Sequence, residues 1–259
     1  MPRAIWTGAI SFGLVHVPVR LVTAVREEKI DFHMLEQGTG QRIHYVTVND
    51  DGDEVERDDI VKGYEIAPDE YVVVEPEELD ELAPEKSETI EIEEFVELGE
   101  IDPVYYDCPY YLLPDEGARK PYRLLMAAMA ESGRVGIARF VMHQREHLTA
   151  VRPLNGVLCL VMMRFAEDVQ PTEELELNLD EIAIEDDELK VATQLIEAMT
   201  HEFAPGEYTN EYRDRVRELL RAKAEGKEIV IPERREEVPE VGSLVAALKE
   251  SLQQAQGKG

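Results

Sequence analysis

The sequence predicts a mainly β chain whose last third turns helical, an α+β protein overall. Between Ala9 and Val151 the apolar residues recur mostly at every second position, the period of a strand with one buried face. After Gln170 they recur at i, i+3 and i+4 with charged residues between them, the period of an amphipathic helix. With 259 residues and 44% hydrophobic content, the chain can bury a sizeable core as one large domain plus a small appendage, or as two modest domains.

The elements follow in order. Ala9 to Ala24 alternates and is rich in Val, which predicts a strand pair or a bent strand with Pro18 at an edge or bend. Phe32 to Val55 reads as two short strands around the polar tip Asn49-Asp50-Asp51-Gly52-Asp53, where Asp-Gly signals a turn. Lys62-Gly63-Tyr64-Glu65 breaks the pattern before a strand from Tyr71 to Val74. Pro76 to Leu82 begins as a short helix with acids in its first turn. Ser87 to Val96 alternates again, and Val104 to Leu113 is an aromatic-rich strand. Glu116 to Glu131 places Tyr122, Leu125, Met126 and Met129 at helical spacing, and Gly133 is positioned to end that helix. Gly136 to Val151 reads as a hairpin around Gln144-Arg145. Glu188 to Phe203 and Asn210 to Glu225 are amphipathic helices. A Pro- and Glu-rich linker, Ile231 to Val241, then leads to a last helix from Gly242 to Gln254, with Leu244, Val245, Leu248 and Leu252 on one face. The division expected is therefore a core of residues 1–230, a linker of 231–241 and a C-terminal segment of 242–259.

The formal net charge of -29 argues against nucleic acid when taken as one number, because phosphate attracts basic surfaces. Its distribution is uneven. Asp50 to Glu100 carries 22 acidic residues against Arg57, Lys62 and Lys86. Gly117 to Pro153 carries Arg119, Lys120, Arg123, Arg134, Arg139, Arg145 and Arg152 against only Glu131 and Glu146. Potentials decay over roughly 8 Å at physiological salt, so an acidic exterior is compatible with anion binding where cations converge. No targeting segment opens the chain, and the longest apolar run, Gly156 to Met163, is far shorter than the roughly 20 residues of a membrane span, so a cytoplasmic protein is expected. Cys108 and Cys159 lack metal or redox spacing and are expected to be reduced, packed thiols.

His143-Gln144-Arg145-Glu146-His147 has the spacing of an inverted zinc-peptidase motif, which requires a helix. Its β-branched flanks predict strands instead, on which residues four apart stand roughly 13 Å apart and cannot share one ion. No P-loop, dinucleotide fingerprint or nucleophile elbow is present.

Ala4-Ile5-Trp6-Thr7-Gly8, Ile10-Ser11-Phe12-Gly13-Leu14-Val15 and Val17-Pro18-Val19-Arg20 resemble the opening signature of prokaryotic Ku proteins. The resemblance continues in order through Arg42, Lys62-Gly63-Tyr64-Glu65, Lys120 with Tyr122-Arg123-Leu124-Leu125, Gly136-Ile137-Ala138-Arg139-Phe140-Val141, Arg145-Glu146-His147-Leu148 and Arg152-Pro153. It implies a Ku-type β-barrel with long bridging hairpins that form a ring in a homodimer. It also implies sequence-independent binding of double-stranded DNA ends and recruitment of the multifunctional end-joining ligase in non-homologous end joining, without catalysis, cofactor or metal. The cations matching the family's basic positions are Arg20, Arg42, Lys62, Lys120, Arg123, Arg134, Arg139, Arg145 and Arg152. The last helix resembles the family's ligase-engaging region, with Leu244, Ala247, Leu248 and Leu252 as its docking face. Two departures stand out: Thr47-Val48-Asn49-Asp50 occupies the place of a C-x-x-C pair found in some relatives, and no long Lys-rich tail is present. A β-barrel protein-interaction scaffold without DNA is the competing reading, favoured by the acidic surface.

Overall fold

Among the described residues the strands in chain order are β1 (Trp6–Phe12), β2 (Val15–Thr23), β3 (Lys62–Ala67), β4 (Glu70–Val74), β5 (Thr89–Glu97), β6 (Tyr106–Pro114), β7 (Arg134–Met142), β8 (Arg145–Leu154) and β9 (Val157–Met163). Seven of them close into a barrel in the order β1-β2-β6-β9-β8-β7-β5. This computed structural model describes residues 3–82, 88–175, 177–179, 182–226 and 244–256. The chain divides into two compact units, Met1–Glu174 and Leu175–Gly259. The linker expected at 231–241 lies outside the described residues.

Six of the barrel's seams are antiparallel; the parallel pairing of Ala9, Ile10 and Ser11 with Thr89, Ile90 and Glu91 closes it. Closure removes the unpaired edges that invite aggregation. Alternation decides which side chains fill the interior: Ile10, Val17, Val19, Leu21, Ile90, Leu112, Val151, Leu158 and Leu160 are fully buried. Trp6 closes one end of this core, its ring meeting that of Phe140 edge-on at a centroid distance of 5.5 Å. The ring lies over Gly8, where a Cβ would stand 2.1 Å from the Glu88 carbonyl oxygen and 2.3 Å from the Trp6 ring. Only glycine fits there.

Pro18 lies inside β2 rather than at an edge, and the ladder shows why it is tolerated. Its carbonyl accepts from the Asp115 amide on the β6 side, while the β2-β6 ladder starts at Val19 with Pro114. The missing amide hydrogen therefore faces a place where the ladder has already ended.

One helix, α1 (Pro76–Leu82), follows β4, and a longer one, α2 (Arg119–Ser132), joins β6 to β7 across one end of the barrel. Its buried face consists of Tyr122, Leu125 and Met129, each worth roughly 1.5–3 kcal/mol on burial. The Tyr122 hydroxyl donates to the Leu112 carbonyl at 2.7 Å and accepts from the Leu158 amide at 2.7 Å. Leu112 and Leu158 are register partners on β6 and β9, so the phenol splices the last rung of that ladder and sews α2 to the wall. Gly133 ends α2 in the left-handed region at φ 67°.

Residues 24–82 form an arm that leaves the barrel after Thr23 and returns at Thr89, at the end opposite α2. From Thr23 to Leu82 no described side chain is buried. The two regular strands expected in Phe32 to Val55 are reduced to two isolated bridges, Leu35 with Arg42 and Val48 with Glu54. The Asp-Gly turn is present: Gly52 has φ 86° and its amide donates to the Asn49 carbonyl. Lys62-Gly63-Tyr64-Glu65 is not a break but the start of β3, paired with β4 in a two-stranded sheet. Its alternation was hidden because neither face is buried within one chain.

The second unit contains α3 (Asp186–Met199), α4 (Glu211–Ala224) and α5 (Leu244–Gln256). A capping box between Glu185 and Glu188 starts α3, and the Asn210 side chain accepts from the Arg213 amide at the start of α4. α5 packs against α3, and Ala247, Leu248 and Leu252 are half-buried. The Leu244 and Val245 side chains are not among the described ones.

Candidate nucleic-acid interface

The nine predicted cations all fall in the first unit, and three different environments hold them. Arg42 and Lys62 are exposed on the arm. Lys120 and Arg123 are exposed on α2. Arg20, Arg134, Arg139, Arg145 and Arg152 stand on barrel strands. The chain therefore does not gather them into a single patch; they span the arm, the arm end of the barrel and its α2 end.

Their electrostatic states differ more than the sequence suggested. Arg20 Nε donates to Asp115 Oδ1 at 3.0 Å. Arg134 pairs with Glu97 at 3.0 Å across the β7-β5 seam. Arg139 lies between Glu93 at 3.2 Å and Glu146 at 3.6 Å. These three guanidinium groups reach a phosphate only by exchanging a carboxylate for it. The exchange is inexpensive, because half-exposed pairs of this kind contribute at most about 1 kcal/mol. Arg42, Lys62, Lys120, Arg123, Arg145 and Arg152 have no carboxylate partner among the described residues.

The α2 cluster has an unfavourable placement for stability alone. Arg119, Lys120 and Arg123 occupy the start of the helix, where the macrodipole is positive, and the first turn holds no acid to offset them. Cations there cost a few tenths of a kcal/mol each and concentrate positive potential on the exposed side of α2. Arg119 belongs to this group although the family positions did not include it; its i, i+4 spacing to Arg123 was the available signal. Arg164, the other basic residue outside the predicted set on this unit's wall, is a structural staple. Its guanidinium donates to the Val104 and Tyr106 carbonyls and to Asp107 Oδ1.

The β7-β8 hairpin turns at His143 and Gln144, one residue before the expected Gln144-Arg145, with φ 51° and 63°. Two successive positive φ values match the twist of the flanking strands. His143 is in this turn, whereas His147 faces the barrel interior, its ring 5.7 Å from that of Phe140 and its Nε2 3.3 Å from the Met142 carbonyl oxygen. Arg145 opens β8 beside the turn and is exposed at the arm end of the barrel. Cys108 is exposed and Cys159 is buried, so only one of the two thiols is packed as expected. Burial pushes the Cys159 thiol above its ordinary pKa, which leaves it protonated and inert.

Comparison with known proteins bears directly on this barrel and arm. Residues 11–191 match the family model described as the Ku70/Ku80 beta-barrel domain. The chain belongs to the Ku family. A Ku relative from Saccharopolyspora erythraea, named Non-homologous end joining protein Ku 1, is 45% identical over 100% of this chain and 81% of its own length. The Ku protein of Anaeromyxobacter sp. (strain K) is 43% identical over 100% of this chain and 88% of its own. The archaeal Ku of Archaeoglobus fulgidus is 38% identical, covering 97% of this chain and 98% of its own. The SPOC domain of human PHD-finger protein 3 overlaps 62% of this chain and 97% of its own at 14% identity, with a TM-score of only 0.33. The Ku-type barrel and C-terminal helices expected from the sequence are therefore present. Among the described residues no helix is long and apolar enough to cross a membrane.

Proposed function

We propose that this Ku chain acts as a homodimeric ring that threads onto ends of double-stranded DNA, holds them without reading sequence, and recruits the multifunctional end-joining ligase in non-homologous end joining. The observation that carries the reading is the arm. It exposes Phe32 by 67%, Tyr45 by 82% and Tyr64 by 70%, within a stretch from Thr23 to Leu82 that buries no described side chain. So much apolar surface on a segment with no core of its own calls for a cover. A second copy supplies one by symmetry, since each arm then lies on its counterpart and both bridge the same opening.

Such an opening suits DNA because a clamp that accepts any break can use only phosphate and sugar contacts, which fix position without carrying sequence. The proposed contacts come from Arg42 and Lys62 on the arm, Lys120 and Arg123 on α2, and Arg20, Arg134, Arg139, Arg145 and Arg152 on the barrel. Arg serves well here, because its planar fork grips phosphate oxygens at two points. Nineteen Asp and Glu residues against five Lys and Arg between residues 24 and 82 repel DNA from the arm's other surfaces, so phosphate is tolerated only along the cationic lines. Ligase recruitment falls to α5, with Leu244, Ala247, Leu248 and Leu252 as its face. Since α5 packs on α3 within its own unit, docking requires the ligase either to extend that pair or to replace α3.

An electrophoretic comparison of a linear duplex with the same sequence as a covalently closed circle tests the proposal. Retention of the linear form alone is expected. Equal retention of both would replace threading by a surface groove, and retention of neither would favour the protein scaffold.

A further inference from the structure

The stretch from Leu98 to Tyr105 connects β5 to β6 over the outer wall of the barrel, and it leaves a groove in two connected halves. One half, about 560 Å³, is lined by Ile101, Pro103, Pro109 and Val161; the other, about 520 Å³, by Met126, Val135 and Leu154, and Leu98 and Arg152 line both. Volumes of this size suit a few side chains of a ligand. The walls are mostly apolar; Arg134 in one half and Asp107 in the other are charged but already held by Glu97 and Arg164, Asn155 and Tyr106 add polar atoms, and one unpaired charged group stands at the junction.

That group is Arg152. The guanidinium groups of Arg20, Arg134, Arg139 and Arg164 on the same barrel each hold a carboxylate, whereas Arg152 has neither an ion-pair nor a hydrogen-bond partner among the described residues. Tyr106, which lines the same groove, has a hydroxyl that is buried and makes no hydrogen bond. Burial raises its pKa and the nearby Arg152 charge opposes that rise, so the hydroxyl keeps its proton and remains a donor. An unpaired guanidinium thus stands in an apolar trough, beside a buried hydroxyl that also lacks an acceptor.

We propose that this groove is a docking site for an extended segment of a partner protein in which one Asp or Glu is flanked on both sides by apolar residues. The carboxylate accepts from the Arg152 guanidinium, and the flanking side chains fill the two halves. Because Arg152 stands between the halves, the acid is internal to the segment; a terminal carboxylate would leave one half empty. Arg152 is also among the proposed phosphate contacts, so peptide and duplex compete for its guanidinium, and the apolar walls on either side of it distinguish the peptide.

The test is a phage-displayed library of random 12-residue peptides, panned on the full chain, followed by synthetic copies of the enriched sequence carrying Glu or Gln at the acidic position. Enrichment of apolar-acid-apolar sequences is expected, with the Gln copy binding about tenfold more weakly or worse. Arg152→Glu should abolish binding of the Glu peptide and restore it for a copy carrying Lys at that position. Leu98→Glu, at a residue already 41% exposed, should weaken the Glu peptide through the same groove without burdening the fold. Failure to enrich any such sequence overturns the proposal. So does enrichment of peptides indifferent to Arg152→Glu.

Discussion

Replacing Tyr122 by Phe removes a single oxygen from the centre of the barrel's most economical joint. The phenol donates to the Leu112 carbonyl and accepts from the Leu158 amide, both at 2.7 Å and both buried. Phe keeps the ring and its packing against Leu125 and the strands, so cavity formation is minimal. What changes is that one carbonyl and one amide lose their partner, at about 1–3 kcal/mol each. Because Leu112 and Leu158 face each other in register, partial closure of the strand gap recovers some of this, leaving a net loss of about 2–4 kcal/mol. At roughly 2–4 °C per kcal/mol for a domain of this size, Tm should fall by about 5–12 °C. Trp6 is the sole tryptophan and stacks edge-on against Phe140, so its fluorescence reports barrel unfolding in urea. The midpoint should drop with the slope m unchanged. A loss below about 0.5 kcal/mol, within the range of an ordinary surface substitution, would refute the spliced-ladder account.

Three further outcomes are expected. Burial raises the phenol pKa of Tyr106, Tyr110 and Tyr122 above 10.0, so the unfolded chain loses these protons first; the stability these three groups contribute should be full below pH 10 and be lost as pH rises through the folded values, less steeply in Tyr122→Phe. An alkaline unfolding profile equally steep in the variant contradicts this. Gly8→Ala should cost about 1–3 kcal/mol or more, since its Cβ meets a backbone carbonyl at 2.1 Å, and an unchanged urea midpoint would show that Trp6 and Glu88 yield freely. Raising salt from about 0.05 to about 1 M should tighten dimerisation, by screening the acidic arms, while weakening duplex binding by counterion release. Analytical ultracentrifugation and gel retardation read the two trends, and parallel trends would mean that the arms do not meet.

Much of this fold was legible because burial imposes a period. Thr89–Glu97 and Tyr106–Pro114 alternate because one face meets the core, and α2 reads as a helix because Tyr122, Leu125 and Met129 point one way. Where no face is buried the signal fails: β3 reads as a break in the sequence, and the strands expected between Phe32 and Val55 shrink to single bridges. The closing contact of β1 with β5 joins residues about eighty positions apart, which no local pattern encodes. The candidate site was legible as a list of cations but not as a set of states. Arg139 and Arg152 look alike in sequence, yet one lies between two glutamates and the other has no ion-pair partner. Register across strands decides that difference.

Threading is a topological property, and loading order tests it. The protein is added to a linear duplex, the ends are then joined to make a closed circle, and the complex is challenged with high salt beside a linear control. A ring predicts protein that leaves the linear duplex but stays trapped on the circle. Equal release from both would contradict threading and leave the chain as a surface binder.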